Sequence, residues 1–400
     1  MRITALVSLA AAVLAFTDAS PINRRPHLTP HRGFSIPLAR NPDFKHNTKA
    51  QIAKMDARYN NRAASTGRVS LTNVKPDLEY YGNVSVGTPA QVVKLNFDTG
   101  SSDIWFPSST CTATACTKHT RFNTAKSSTF QKDGRKWRIS YGDKSSASGI
   151  LGSDIVNVGG ISVRQTIGLA TAESAQFARS PEDGLFGLGF NSIESVSGVK
   201  TFLDNAIAAG AVSQPVISVF LPSYRRNGGV GGEYLFGGID STKYTGDLTY
   251  INVSEKGYWQ IPMDDITYNG KSLGQASEGI VDTGTTLVII STAAAAAIHK
   301  GIQGAKFNPA TATEAAYWSV PCSLQKSTDN VGFVLGGKTF NIPVADVAYE
   351  DVGDNTGSCY SGIQGGQDDL WILGDVFIKN NYCVFDQGAT ARIGIAPLKY

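Results

Sequence analysis

The sequence predicts a mostly-β protein built as two related lobes, and three observations carry that prediction. Glycine is abundant, 42 of 400 residues, while charged residues make up only 17%. That balance disfavours coiled coils, helical bundles and disordered chains. From Leu71 onward, apolar and polar residues alternate in short runs such as YYGNVSVG, VVKLNFD, KWRISYGD, GGEYLFGGID and YCVFDQG, with Gly, Asn and Asp between them. Finally, one motif occurs twice: Asp98-Thr99-Gly100-Ser101-Ser102 follows VVKLNF, and Asp282-Thr283-Gly284-Thr285-Thr286 follows GIV. Each is trailed by an apolar-apolar-Gly step, with Gly187 lying 89 residues beyond Asp98 and Gly374 lying 92 beyond Asp282. A repeat with matching downstream partners implies duplicated lobes.

The elements follow in chain order. Arg2 precedes an apolar run from Ile3 to Phe16, and Thr17-Asp18-Ala19 offers small residues for a cut after Ala19. This has the form of a secretory signal peptide over residues 1–19 and is short for a bilayer span. Residues 20–63 are basic, and NTKAQIAKMDARYNNR reads as a short helix within them. A removable pro-segment fits that composition. Residues 64–240 are assigned to a first β lobe and 241–400 to a second. Two helices are expected among the strands. In VKTFLDNAIAAGAV, Val199, Phe202, Leu203 and Ile207 fall on one face, and STAAAAAIHKGI starts from Ser291 or Thr292 as N-cap. The segment GGVGGEYLFGGID reads as a hairpin and not a nucleotide-binding loop.

Charge partitioning excludes one class of partner. The net charge is +3, but residues 1–63 carry 10 Lys+Arg against 3 Asp+Glu, leaving 26 against 30 in the rest. A body of net −4 is a poor match for phosphate backbones, so no nucleic-acid partner is expected. No later stretch is long and apolar enough to span a membrane, and the C-terminus IGIAPLKY carries no lipid-anchor signal. The expectation is a secreted protein, with delivery to an acidic vacuole as the alternative.

The five cysteines fit an oxidising compartment. Cys111 and Cys116 close a short loop, Cys322 and Cys359 lie together in the second half, and Cys383 is left as a buried thiol in NNYCVFD. No spacing forms a zinc site, since Cys111, Cys116 and His119 lack a fourth ligand. Neither H-E-x-x-H nor G-x-S-x-G occurs, and the body holds only His119 and His299. Metal-dependent and serine or cysteine hydrolases are therefore disfavoured, and no cofactor is expected.

Two carboxylates delivered by two lobes suit general acid–base work. Like charges in close contact share a proton over a broad acidic range, so one member can accept from water while the other donates to a carbonyl. Glycine after threonine lets the backbone pass near the pair, and hydroxyls can hold the carboxylates.

On these motifs the chain resembles the pepsin family of aspartic endopeptidases, most of all the secreted fungal, rhizopuspepsin-type members. The likeness runs from EYYGNVSVGTP to FIKNNYCVFDQG. It implies a bilobal pepsin-like acid protease fold with a central cleft, and Asp98 and Asp282 as the catalytic pair. It also implies that Tyr141-Gly142-Asp143 forms the tip of a flap over the substrate, with Phe177 lining an apolar pocket. Gly100, Gly284 and Thr285 would meet substrate, Ser101 and Thr285 would flank the aspartates beside Thr99 and Thr283, and Trp105 would support Tyr141. Protein and peptide substrates, inhibition by pepstatin and a monomeric state follow from the same resemblance. So does a zymogen whose pro-segment plugs the cleft, with Arg58-Tyr59 standing where a Lys-Tyr pair is usual and a mature start near Ala64 to Gly67. The alternative is a catalytically silent binding protein of the same fold. Three departures stand out: Lys144 where fungal members commonly have Gly, Asn96 where Asp is frequent, and Cys383 at an ordinarily apolar position. Lys144 and Asn96 make the non-primed pocket less negative, so bulky apolar residues should be preferred over Lys at the cut. Asn83-Val84-Ser85 and Asn252-Val253-Ser254 are glycosylation sequons in predicted strands.

Overall fold

The computed structural model describes residues 34–37, 77, 80–141, 144–221, 223–228, 232–312, 314–366, 368 and 370–400. The expected signal peptide, the helix NTKAQIAKMDARYNNR, Arg58-Tyr59 and the processing site lie outside them.

The molecule is mostly β and bilobal, and the duplication is visible in strand order. In the first lobe, Tyr81–Val86, Gln91–Asp98, Gly184–Gly187, Ile104–Pro107 and Ile161–Glu173 lie side by side in one sheet. In the second, Gln260–Met263, Ser277–Val281, Trp371–Leu373, Val288–Ser291 and Ile363–Gly366 do the same. Successive pairings in both run antiparallel, parallel, antiparallel, parallel. The sequence repeat is therefore a structural one. Its apolar-apolar-Gly steps are the strands that pair in parallel with the segments ending at Asp98 and Asp282. Phe186 and Gly187 lie beside Phe97 and Asp98, and Ile372 and Leu373 lie beside Ile280 and Val281. A side chain at Gly187 would collide with the Ser102 backbone, and one at Gly374 with the carbonyls of Thr285 and Leu287. Only glycine lets these crossings pack.

A six-stranded antiparallel sheet joins the lobes in the order Phe34–Pro37, Glu233–Phe236, Val216–Phe220, Asn381–Asp386, Arg392–Pro397, Thr249–Asn252. GGVGGEYLFGGID is thus not a hairpin by itself. Among its described residues it contributes one strand, Glu233–Phe236, which pairs with Val216–Phe220 upstream and with the distant Phe34–Pro37, and is followed by Gly237 with φ 78°. Aromatic rings fill the space beneath the Asp98 strand: Phe97 lies 4.9 Å from both Phe186 and Tyr234, and Phe186 lies 5.2 Å from Phe202. The Tyr234 hydroxyl donates to the Phe97 carbonyl at 3.1 Å, tying the central sheet to the residue before Asp98.

Both expected helices form, with adjusted faces. Phe202–Ala208 starts from Thr201 and Asp204, which complete a reciprocal capping box. Phe202, Leu203 and Ala206 are buried, whereas Ile207 is 38% exposed at the rim of that face. Val199 is buried ahead of the helix. Thr292–Gly301 takes Ser291 as its N-cap, the hydroxyl oxygen accepting the Ala294 amide. Cys111–Cys116 and Cys322–Cys359 are disulfide-bonded, and burial pushes the pKa of the free Cys383 thiol up. Among the described residues no helix is long and apolar enough to cross a membrane.

Candidate active site

The two Asp-Thr-Gly turns sit where each lobe's parallel strand pair ends, and they meet. Their hydrogen bonds repeat one another. Asp98 accepts the Gly100 amide at 2.8 Å and the Ser101 hydroxyl at 2.6 Å, and Asp282 accepts the Gly284 amide at 2.8 Å and the Thr285 hydroxyl at 2.6 Å. Both aspartates are buried, 1% and 0% exposed. Each faces the other turn's glycine: a side chain at Gly100 would collide with the Asp282 carboxylate, and one at Gly284 with that of Asp98. Glycine is obligatory here because the opposing carboxylate occupies the volume a Cβ would take.

Thr99 and Thr283 lock the turns together. The Thr99 amide donates to the Thr283 hydroxyl at 3.1 Å and the Thr283 amide to the Thr99 hydroxyl at 3.0 Å. The hydroxyls then donate across the lobe boundary, Thr99 to the Val281 carbonyl at 2.9 Å and Thr283 to the Phe97 carbonyl at 2.7 Å. The amide and the hydroxyl of each threonine are thereby satisfied without solvent.

Gln131–Ser140 and Ser146–Val158 pair antiparallel as the hairpin expected to carry the flap. The Tyr141 carbonyl accepts the Lys144 amide and the Tyr141 amide donates to the Ser145 carbonyl, both at 2.9 Å. Lys144 adopts φ 64°, a left-handed conformation that favours glycine. Gly142 and Asp143 lie outside the described residues. Trp105 donates its indole N–H to the Tyr141 hydroxyl at 2.7 Å. Phe177 completes the aromatic group, its ring 5.0 Å from Trp105 and 6.2 Å from Tyr141. Asn96, two residues before Asp98, is buried with its Oδ1 unpartnered.

Sequence reasoning missed a brace beneath the flap. Trp137, on the first flap strand, packs 5.8 Å from Trp105 and donates its indole N–H to Asp103 Oδ1 at 2.8 Å. Asp103 also accepts the Ser195 hydroxyl and, at 3.1 Å, the Ser195 amide. Beside it, the Glu194 carboxyl is pushed up to about 9 by burial and by the charges of Asp103 and Asp204. Asp103 directly follows the first motif, but nothing in its one-dimensional context announces Trp137 as partner. The buried contact of His299 Nε2 with the Ser361 hydroxyl, at 2.8 Å, is a packing feature. Its Nδ1 is committed to the Ala295 carbonyl and its ring stacks on Trp318. No cluster of three or more His, Cys, Asp or Glu residues able to hold a metal occurs among the described residues.

Comparison with known proteins agrees with this geometry. The family model described as eukaryotic aspartyl protease matches residues 79–398. Rhizopuspepsin-4 of Rhizopus niveus is 40% identical over 99% of this chain and 98% of its own length. Syncephapepsin of Syncephalastrum racemosum is 36% identical over 100% of both. Pepsin A of Callithrix jacchus is 42% identical over 80% of this chain and 81% of its own. With a family match from the first strand of one lobe to the last strand of the central sheet, the chain belongs to the eukaryotic aspartyl protease family.

Proposed function

We propose that this aspartic endopeptidase cleaves extended protein substrates at acidic pH, with Asp98 and Asp282 as its catalytic pair. The observation that carries this reading is the mirrored support of the two carboxylates, each held by a glycine amide and a hydroxyl at 2.6–2.8 Å. In the productive state one carboxyl is ionised and the other protonated, a behaviour for which aspartic proteases are the standard illustration. The ionised carboxylate takes a proton from water as its oxygen attacks the peptide carbonyl carbon. The protonated partner donates to the carbonyl oxygen, giving a tetrahedral diol. The first carboxyl then gives its proton to the amide nitrogen while the second carboxylate takes one from a diol hydroxyl, so that the C–N bond breaks, acid and amine leave, and one shared proton remains on the pair. Tyr141, with Gly142 and Asp143, closes over the substrate, and Gly100, Gly284 and Thr285 contact it. Phe177 walls an apolar pocket, with Trp105 holding Tyr141 in place.

The finer reading is a secreted, monomeric zymogen of signal peptide 1–19, pro-segment 20–63 and two lobes divided near residue 240. The pro-segment's +7 charge against a −4 body, and the pairing of Phe34–Pro37 with Glu233–Phe236, support a pro-segment docked on the enzyme. Arg58 sits on the dyad in this reading, and acid releases it by protonating carboxylates. An N-terminus beyond Leu71 or a stable complex at pH 3 would count against it. Lys144 and Asn96 bias the cleft toward bulky apolar residues, and comparable cleavage of matched Lys and Phe peptides would sink that point. The deciding assay is digestion of denatured globin at pH 3 and pH 7, with and without pepstatin, for wild type and Asp98→Asn. Pepstatin-sensitive cleavage at pH 3 that disappears in the variant is expected. No cleavage after verified removal of the pro-segment would leave a silent binding protein.

A further inference from the structure

The short turn Ala175–Arg179 carries Phe177, and both of its ends reach one imidazole. Beyond its far end, His119 Nε2 lies 3.1 Å from the Ser180 carbonyl oxygen. A carbonyl only accepts, so Nε2 carries a proton. Before its near end, His119 Nδ1 lies 3.8 Å from Glu173 Oε2, and the two side chains are only 5% and 0% exposed. At that distance the contact is one of charge and not a formed hydrogen bond. Nδ1 and both Glu173 oxygens are buried without a hydrogen-bond partner. The backbone that carries the ring is fixed by the disulfide loop and by Asp183. The His119 amide donates to the Cys116 carbonyl at 3.2 Å, and the Thr120 amide to Asp183 Oδ1 at 2.7 Å.

With Nε2 already protonated, Nδ1 decides the sign of the contact. A neutral ring points a lone pair at a buried carboxylate, which repels. An imidazolium points an N–H there, which attracts and can donate to Glu173 in either of its protonation states. The charged groups facing the ring are acidic, Glu173 from the strand Ile161–Glu173 and Asp183 from the loop before Gly184. Lys118 and Arg179 are exposed, and Arg121 is engaged with the Cys111 carbonyl at 3.0 Å. Burial opposes the charge, but Glu173, the Ser180 carbonyl and Asp183 outweigh it and raise the His119 pKa above the ordinary 6.5.

We propose that His119, as an imidazolium, is a positioning residue that clamps both ends of the Phe177 turn and thereby sets how strongly the adjoining pocket prefers large apolar side chains. The proposal rests on Phe177 walling that pocket. Because the clamp needs the charged ring, it is complete below the His119 pKa and released as pH rises through it.

The test uses two peptides differing only by Phe or Ala at the residue entering the Phe177 pocket. Their kcat and KM are measured on the mature enzyme from pH 4 to pH 8, wherever circular dichroism shows it folded, and the His119 pKa is located by NMR. Taking the ratio of the two kcat/KM values cancels the titration of the catalytic pair. In wild type the Phe/Ala ratio should fall about threefold to fivefold across the His119 pKa, mainly through KM. His119→Gln should give a ratio independent of pH. Glu173→Gln supplies an amide that can donate to neutral Nδ1 or accept from charged Nδ1, so its ratio should stay high throughout. A wild-type ratio with no step at the NMR pKa, or a step retained in His119→Gln, overturns the proposal. Phe177→Ala separates the two ideas: it should abolish the preference at every pH. An unchanged preference there would remove the pocket reading and this inference together, while digestion of globin would still report on the catalytic pair.

Discussion

The Thr99 amide donates to the Thr283 hydroxyl and the Thr283 amide returns the donation to Thr99, so each lobe's motif is completed by the other lobe. The consequence for stability is direct. Thr99→Val keeps the shape but leaves the Thr283 amide and the Val281 carbonyl buried and unpaired, a cost of about 2–4 kcal/mol. Urea unfolding should show that loss, and Thr99→Ser should recover most of it. A loss below about 0.5 kcal/mol would mean that the lobes are held in register by other contacts.

Tyr141 and Trp105 offer a cleaner probe of the flap. Tyr141→Phe removes the acceptor of the Trp105 indole N–H while leaving the rings in place. Stability should change by about 1 kcal/mol, and kcat/KM should drop roughly threefold to tenfold as the flap loses its anchor. Unchanged kinetics would show that the aromatic packing of Phe177 and Trp105 suffices to place the flap.

These two relationships differ in how far the sequence reveals them. The paired Asp-Thr-Gly motifs and their downstream glycines are legible because the same two needs arise in each lobe: an opposing carboxylate fills the Cβ space of Gly100 and Gly284, and neighbouring backbone fills that of Gly187 and Gly374. The mirrored strand order of the two sheets follows from that repeat. Trp137, Asp103 and Ser195 were not legible, because each is an ordinary residue until folding brings 34 and 92 positions together. The face of Phe202–Ala208 was read one residue too wide at Ile207, since periodicity marks a direction but not where the neighbouring sheet stops. GGVGGEYLFGGID misled for a related reason. Its glycines signal turns, while its strand finds both partners outside the segment, in Val216–Phe220 and in the remote Phe34–Pro37.

Lys144 sits at φ 64° in a position where glycine carries no steric cost. Lys144→Gly relieves about 1 kcal/mol of backbone strain, offset in part by the greater freedom of glycine in the unfolded chain. Thermal stability should therefore stay level or rise slightly. The same change removes a cation from the flap tip, so cleavage of a Lys-containing peptide relative to its Phe counterpart should improve about twofold to fivefold. A ratio that does not move would place the discrimination at Asn96 or elsewhere in the pocket.

His299 makes the opposite pH linkage to His119. Burial lowers its pKa to about 4, against an ordinary 6.5, with the Ala295 carbonyl acting weakly the other way. Nδ1 donates to that carbonyl, so Nε2 accepts from the Ser361 hydroxyl and a second proton has no place. Between pH 6.5 and 4 the unfolded chain binds the proton that the folded ring refuses, so stability falls as pH falls. The span corresponds to about 3 kcal/mol, lost progressively across that window and constant below it. His299→Gln removes this titration. In an Asp98→Asn background, chosen to suppress self-cleavage on the proposed mechanism, the variant should be less stable at pH 7, where it lacks the stack on Trp318. Its stability should then draw level with that of the histidine protein as pH approaches 4. Parallel curves from pH 7 to pH 4 would show that water reaches the ring and that its proton uptake carries no folding cost. Converging curves would show that an enzyme expected to work in acid carries a buried base which weakens it there.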